Sequence, residues 1–472
     1  MNASDTPAEL HVVFQIQRAA YDAAPFAEWG ERRDRLKRLR DLICDHEAAI
    51  ESAIDADFAG RPRIETQIGE IFPSLSEIRG ALKHGRRWMK PRSAAVSKWF
   101  LPARANVVPR PLGVVGIIVP WNYPLFLAIS PLVAALAAGN RAMVKMSEFT
   151  PAFSELFQRL ITGAFRSNEV AIIVGGADVA AQFSALPFDH LLFTGSTAVG
   201  RKVMRAASEN LTPVTLELGG KSPAVITPGY PIEHAVQRIL AGKLLNAGQT
   251  CIAPDYALVP RAQVSKFVEA TKRQAQAMYP GGLDDPDYCS IVNERQYQRL
   301  TGYADQAGGS GATVMSMFAG VQRDAGKHRL APALVIDAAA DLELMREEIF
   351  GPLLPVIPYD DVKDAIKFVN AQPRPLAMYW FDRDAKRAEA ALKSTHAGGV
   401  CMNETLLHCA QEDLPFGGVG LSGMGHYHGR WGFDTFSKLT PVFRQSRFNA
   451  MKLFLPPYKP YAAKALRLMK RF

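Results

Sequence analysis

The run Val114-Val115-Gly116-Ile117-Ile118-Val119 stops at Pro120-Trp121-Asn122-Tyr123-Pro124, and a stretch of small apolar residues, Leu125 to Ala138, follows it. An unbroken β-branched run predicts a strand covered on both faces, as in a parallel sheet flanked by helices. Two prolines exclude regular structure in the connection. Gly139-Asn140 closes the helix, and Ala142-Met143-Val144-Lys145 reads as the next strand. The alternation continues: Ala171 to Val174 is a strand, Ala177 to Leu186 a helix and His190 to Thr194 a strand. Gly195-Ser196-Thr197 then turns into a helix beginning near Ala198. A second series runs from about Pro223 to Val400. Its strands are Ala224-Val225-Ile226, Tyr256-Ala257-Leu258-Val259, Ala333-Leu334-Val335-Ile336 and Leu354-Pro355-Val356-Ile357. Strands alternating with helices imply right-handed crossovers, so the expected fold is α/β, with two doubly wound parallel-sheet domains. Residues 8–58 carry apolar positions at helical period among many charges and predict exposed amphipathic helices.

Composition narrows the function classes. With 472 residues, 48% hydrophobic and 21% charged, the chain can bury full cores and is neither disordered nor a disulfide scaffold. Its five cysteines contain no CxxC pair, so no disulfide framework or cysteine zinc site is indicated. Met1 to Leu10 has two acids and no base, the reverse of a secretory signal. The apolar stretch Pro124 to Ala138, broken at Ser130-Pro131, is shorter than the ~20 residues of a membrane span. A soluble, cytoplasmic protein is expected. The net charge of +9 lies wholly after Asp434, where nine Lys and Arg residues follow with no acid. A nucleic-acid binder would spread such a patch over its folded body, so no nucleic-acid partner is expected.

Several residues invite chemistry, each with a bland alternative. Phe193-Thr194-Gly195-Ser196 with Gly200 is strand into glycine turn into helix, which is either a structural turn or a phosphate site at a helix N-terminus. No GxGxxG accompanies it. Lys145 and Glu148 lie past a strand end, where ribose hydroxyls could be bound, or they form a solvated pair. Glu217 is an acid within the apolar run Val214-Thr215-Leu216-Glu217-Leu218. It is a buried, tuned general base or an outward-facing acid on an edge strand. Cys251 follows the polar turn Asn246-Ala247-Gly248-Gln249-Thr250 and reads as a nucleophile or as a small buried hydrophobe. Cys44 and Cys401 read as core, and Cys289 and Cys409 are undecided between chemistry and structure, with structure favoured. No GxSxG is present, and His408, His426 and His428 show no metal spacing.

Taken together the motifs resemble those of the aldehyde dehydrogenase superfamily, from about Asp34 to Lys438. Pro120–Pro124, Phe193–Ser196, Leu216–Pro223, Gly248–Cys251, Glu347–Pro352 and Pro415–Gly418 stand in the family's order. The resemblance implies that Cys251 is the nucleophile, Asn122 the oxyanion donor and Glu217 the base that activates hydrolytic water. It implies NAD or NADP as cofactor, bound by Trp121, Lys145, Glu148, Gly195, Ser196, Glu348 and Phe350. The implied domains are cofactor-binding (1–85 and 105–217) and catalytic (218–410). A bridging and oligomerisation element (86–104 and 411–445) and a basic tail (446–472) complete the division. Gly417–Gly425 and Phe433–Ser437 resemble the class 3 branch, which implies a homodimer acting on small-molecule aromatic or medium-to-long aliphatic aldehydes. Met146 stands where the family usually has proline. Leu455-Pro456-Pro457-Tyr458 resembles the tail of bacterial coniferyl-aldehyde dehydrogenases, so an aromatic substrate is expected, with a fatty aldehyde as the alternative. Glu217 argues against an acyl-CoA-forming relative, and intact Cys251, Asn122 and Glu217 argue against a retired site. An esterase independent of cofactor is a further rival. The basic, apolar segment Ala462 to Phe472 either touches anionic membrane or packs on the protein itself.

Overall fold

The computed structural model describes residues 7–470. Residues 1–6 and 471–472 lie outside the described residues, and with them most of the acidic start and the last basic position. The first large sheet contains β1 (Val114–Ile118), β2 (Arg141–Lys145), β3 (Val170–Ile173), β4 (His190–Gly195) and β5 (Val214–Leu218). Their spatial order is β3-β2-β1-β4-β5, all parallel, and a short antiparallel strand, Gly423–Met424, covers the edge of β5. Chain order reverses between β1 and β4, and a doubly wound sheet opens a crevice at that point, beyond the carboxyl ends of the strands. β1 is buried at every position, as its apolar run predicts.

The second sheet has seven strands: β6 (Pro223–Ile226), β7 (Tyr256–Pro260), β8 (Thr313–Ser316), β9 (Ala333–Ile336), β10 (Leu353–Tyr359), β11 (Ala377–Phe381) and β12 (Gly399–Met402). Their order is β8-β9-β10-β7-β6-β11-β12, and only β8 runs antiparallel. A separate antiparallel sheet joins Arg92–Ala94, Arg104–Pro111 and Ser437–Arg444.

The helix Phe126–Ala138 lies at the centre of the molecule, buried at every residue but its first. Burial leaves its terminal N–H and C=O groups without water, so charged side chains must satisfy them. The Leu125 and Phe126 N–H groups both donate to Glu70 Oε2 at 2.9 Å. At the other end Arg32 Nη1 donates to the Ala137 and Ala138 carbonyls at 3.0 and 2.7 Å. An acid at the N-terminus and a base at the C-terminus also suit the helix dipole. Gly139 ends the helix at φ +95°, and a side chain there would collide with the Arg32 guanidinium.

Helices Pro7–Ala23, Trp29–Asp45 and Glu47–Phe58 occupy the predicted amphipathic region. One expectation for it is corrected: Cys44 is exposed. Helix Trp29–Asp45 buries Leu36, Leu39, Leu42 and Ile43, and the next residue rotates about 100° past that stripe. Cys401 is buried, as expected, and Cys289 is buried as well. Among the described residues no helix is long and apolar enough to cross a membrane.

Candidate active site

A cavity of about 820 Å³ opens at the carboxyl edge of the first sheet, where order reverses between β1 and β4. The second sheet supplies its other wall through the segments leading into β7, β10 and β11 and through the loop after β12. Eight of the ten residues implicated by sequence line it: Trp121, Asn122, Gly195, Ser196, Glu217, Cys251, Glu348 and Phe350. Lys145 and Glu148 do not. They sit at the same sheet edge on and just after β2, which is next to β1.

The Asn122 loop and the Cys251 loop are fastened to each other. Asn122 Nδ2 donates to the Gln249 carbonyl at 3.1 Å, and Asn246 Nδ2 donates to the Asn122 and Gln249 carbonyls at 3.1 and 3.2 Å. One further bond joins the Tyr123 hydroxyl and Thr250 Oγ1 at 2.7 Å. Ahead of Cys251 the backbone passes through three left-handed residues, Asn246 (φ +53°), Ala247 (φ +50°) and Gly248 (φ +78°). Two of these are not glycine, so the loop holds backbone strain that its bonds must offset. A side chain at Gly248 would overlap the Gly351 carbonyl. Cys251 is half-buried, and burial, then Glu348, Cys409 and Glu217, push its thiol well above the usual range. The resting thiol is therefore neutral and must lose its proton as it attacks.

Glu217 is 2% exposed, and neither carboxylate oxygen has a hydrogen-bond partner. Burial alone raises its pKa well above the ordinary 4.5. β5 is paired on both sides, with β4 and with Gly423–Met424, so the outward-facing edge alternative is excluded. Glu348 faces the Gly219-Gly220 turn: a side chain at Gly219 would overlap its carboxylate. Burial, then Asp255, raise it to about 8 against the pull of the Gly220 N–H. Lys221 holds this segment, donating to the Leu344 and Glu347 carbonyls at 2.8 and 3.0 Å and pairing with Asp255. Asp255 Oδ1 in turn accepts from the Ile349 N–H at 2.9 Å. Phe350, at φ +49°, sets its ring edge-on to Trp121 with centroids 5.2 Å apart.

The residues present fit a dinucleotide. Helix Thr197–Ser208 points its N-terminus at the cavity, with Ser196 as its cap accepting from the Val199 N–H at 3.4 Å. Free N–H groups and the positive dipole end suit a pyrophosphate. Thr194 Oγ1 is buried at the same turn without a partner. At Gly200 a side chain would meet Leu218 at 2.7 Å, so glycine lets this helix lie close on the sheet. The Lys145 side chain is 2% exposed; its Nζ donates to the Met146 carbonyl at 2.7 Å and lies 3.7 Å from Glu148 Oε2. Met146 N–H donates to the Ile173 carbonyl at 2.9 Å, a bond proline could not make, so this loop continues the β2–β3 ladder.

Several functional positions escaped the sequence motifs. Cys409 lines the cavity together with Cys251, and burial raises its thiol to about 12. Phe126, Phe416, Tyr427 and His428 form an aromatic wall: Phe416 stacks on His428 at 5.2 Å and meets Tyr427 edge-on at 6.0 Å. Phe416 lies in the Pro415–Gly418 motif, but for Phe126, Tyr427 and His428 only their shared aromatic character could have flagged the wall. Among the described residues no cluster of His, Cys, Asp and Glu could hold a metal.

The family model described as "Aldehyde dehydrogenase family" matches residues 3–442. The chain is 54% identical over 451 residues to a probable coniferyl aldehyde dehydrogenase of Pseudomonas aeruginosa, covering 95% of this chain and 94% of that protein. It is 45% identical over 447 residues to a coniferyl aldehyde dehydrogenase of a Pseudomonas species, covering 94% and 92%. A substrate-bound Staphylococcus aureus AldH superposes with a TM-score of 0.93 at 35% identity, covering 99% of this chain and all of that one. An NAD+ complex of a Bacillus cereus aldehyde dehydrogenase superposes with a TM-score of 0.84 at 26% identity, covering 94% and 90%. With the cavity, its cysteine and a dinucleotide-shaped edge in place, these matches identify the chain as a member of the aldehyde dehydrogenase family, an NAD(P)-dependent oxidoreductase acting on aldehydes.

Proposed function

We propose that the enzyme oxidises an aromatic aldehyde of the coniferaldehyde type to its carboxylic acid, with Cys251, Asn122 and Glu217 carrying the reaction. The observation behind the residue roles is their convergence on one cavity, a half-buried thiol sharing it with a buried, unpartnered carboxylate and a fixed amide. Cys251 Sγ attacks the aldehyde carbon, its proton passing to the Glu217 carboxylate and on to water, and the carbonyl oxygen becomes an oxyanion. Asn122 has one amide N–H bound to Gln249 and keeps the other for that oxyanion, beside the Cys251 backbone N–H. NAD(P), when bound, supplies the hydride acceptor that turns the thiohemiacetal into a thioester. Glu217 then takes a proton from the water that attacks the thioester carbon and returns it to the departing Cys251 sulfur, which releases the thiol and the acid. A carboxyl held above its ordinary pKa suits this base role near neutral pH.

Trp121, Glu348 and Phe350 would hold the nicotinamide riboside beside Cys251, Gly195 and Ser196 would hold the pyrophosphate, and Lys145 with Glu148 would meet the adenosine ribose. This assigns residues 1–85 and 112–217 to cofactor binding and 218–410 to catalysis. Residues 105–111 go instead with the bridging element (86–104 and 411–445), because Arg104–Pro111 pairs with Ser437–Arg444. Leu439 and Phe443 are exposed on that sheet, which supports a homodimer. Support for the tail packing on the protein itself comes from a groove that Ala462, Leu466 and Met469 line together with Trp99, Phe100 and Phe454. That favours a cytoplasmic enzyme over a membrane-bound one.

The aromatic wall and the names of the relatives support the aromatic substrate, since flat rings gain from edge-on and stacked partners. The test is reduced-cofactor formation from coniferaldehyde, benzaldehyde and aliphatic aldehydes of rising chain length, with NAD and with NADP. Coniferaldehyde should give the highest kcat/KM. A preference that climbs with aliphatic length would overturn the aromatic assignment.

A further inference from the structure

Residues 61–71 are built inside out. Ile64 and Ile68 are exposed, whereas Arg61, Glu65, Thr66 and Glu70 are buried, and the ordinary apolar-inward pattern returns only at Ile71. Burying two carboxylates and a guanidinium while apolar side chains face water is costly unless the buried groups bind something the protein needs. Part of the segment, Gln67–Ile71, is a π-helix, a rare form that recurs at functional sites.

What these groups hold is the reacting pair. Glu65 Oε2 accepts from the Asn246 N–H at 3.0 Å, at the first of the strained left-handed residues before Cys251. Arg61 Nη1 donates both to the Asn122 carbonyl and to Glu70 Oε1 at 3.0 Å each. Glu70 Oε2 receives the two N–H groups that follow the Asn122 loop, Leu125 and Phe126. The Arg61 guanidinium also lies over the Tyr123 ring, 4.8 Å from its centroid. Asn246 closes the circuit by donating to the Asn122 carbonyl. The nucleophile loop and the oxyanion loop thus hang from one short segment, remote in sequence from both.

We infer that Arg61, Glu65 and Glu70 are positioning residues that set the register between Cys251 and Asn122. None of them lines the cavity, so they touch neither substrate nor cofactor. The inference rests on the assignment of Cys251 and Asn122 given above. Its physical content is geometric: a displacement of about 1 Å at a reacting centre costs about 10²-fold in rate. Releasing the Asn246 N–H frees the strained loop to relax by that order.

The experiment compares Glu65→Ala, Glu65→Gln, Arg61→Lys and Cys251→Ala in the full chain with NAD and the best aldehyde. Glu65→Ala should lower the single-turnover rate of reduced-cofactor formation by about 10²-fold, with aldehyde KM and cofactor Kd within about threefold of wild type. Glu65→Gln keeps a carbonyl oxygen facing the Asn246 N–H and should recover most of the rate. Arg61→Lys keeps the charge but loses the forked contact, and should show the same kcat loss without a KM change. It decides the matter if Glu65→Ala is insoluble. A soluble Glu65→Ala with a wild-type rate overturns the inference. So does one whose rate, KM and cofactor Kd all worsen together with no rescue by Gln. Turnover by Cys251→Ala would instead overturn the underlying assignment.

Discussion

Glu217→Gln should separate catalysis from stability in opposite directions. Neither Glu217 oxygen has a partner, so the isosteric amide breaks no hydrogen bond and removes only the ability to take a proton. A positioned general base is worth about 10²–10⁴-fold, so thioester hydrolysis should slow by that factor while hydride transfer proceeds. Hydrolysis then limits turnover, and mixing enzyme, NAD and aldehyde should give a burst approaching one reduced cofactor per Cys251. The stability effect follows from linkage. Folded Glu217 stays protonated well above 4.5 while the unfolded chain ionises there, so the native state binds more protons. Wild-type stability therefore falls as pH rises through that window, by up to about 1.4 kcal/mol per pH unit. Glu65, Glu70 and Glu77, raised to about 7, and Glu348, raised to about 8, act with the same sign in both proteins and cancel in the comparison. Denaturant titrations should show the variant gaining on wild type as the pH rises above the ordinary carboxylate value of 4.5. A linear time course at the wild-type rate would refute the base role. A stability difference independent of pH would refute the burial argument.

Asn122→Ala should cost about 10²–10³-fold in kcat/KM in steady-state assays, while alkylation of Cys251 and cofactor binding persist. Gly219→Ala places a methyl group on the Glu348 carboxylate and should lower kcat/KM for cofactor by about 10²-fold with little change in Tm. Arg32→Met leaves the Ala27, Ala137 and Ala138 carbonyls without their donor. It should destabilise the protein by about 3 kcal/mol in denaturant titrations and leave kcat per folded molecule unchanged.

The first sheet was legible because its strands are mostly apolar runs with a glycine, proline or asparagine at one end or both, the ionisable residues being confined to the ends of β2 (Arg141, Lys145), to His190 and to Glu217. In the second sheet, Ala377–Phe381 carried the same apolar signal as its neighbours but was not singled out. Thr313–Ser316 is exposed at two of its four positions and lacks that signal. The chemistry was visible where it is written in contiguous motifs: Cys251, Asn122, Glu217 and Glu348 each sit in a short run of glycines, prolines or apolar residues. The support beneath them was not. Arg61, Glu65 and Glu70 lie in a segment whose pattern suggests the opposite face inward, and only the fold shows that Ile64 and Ile68 face water. Cys409 looked structural because its distance to Cys251 in sequence hides their shared cavity. Cys44 shows the reverse error, since a single residue of rotation moves a helical side chain from core to solvent.

The central claim is that oxidation passes through an acyl thioester on Cys251. The most direct measurement is acid quenching of Glu217→Gln during its burst with NAD and coniferaldehyde, followed by proteolysis and mass spectrometry. The account predicts the substrate-derived acyl group on the peptide containing Cys251, in an amount matching the burst. An acyl group on the Cys409 peptide, or a full burst with no acylated peptide, would contradict it.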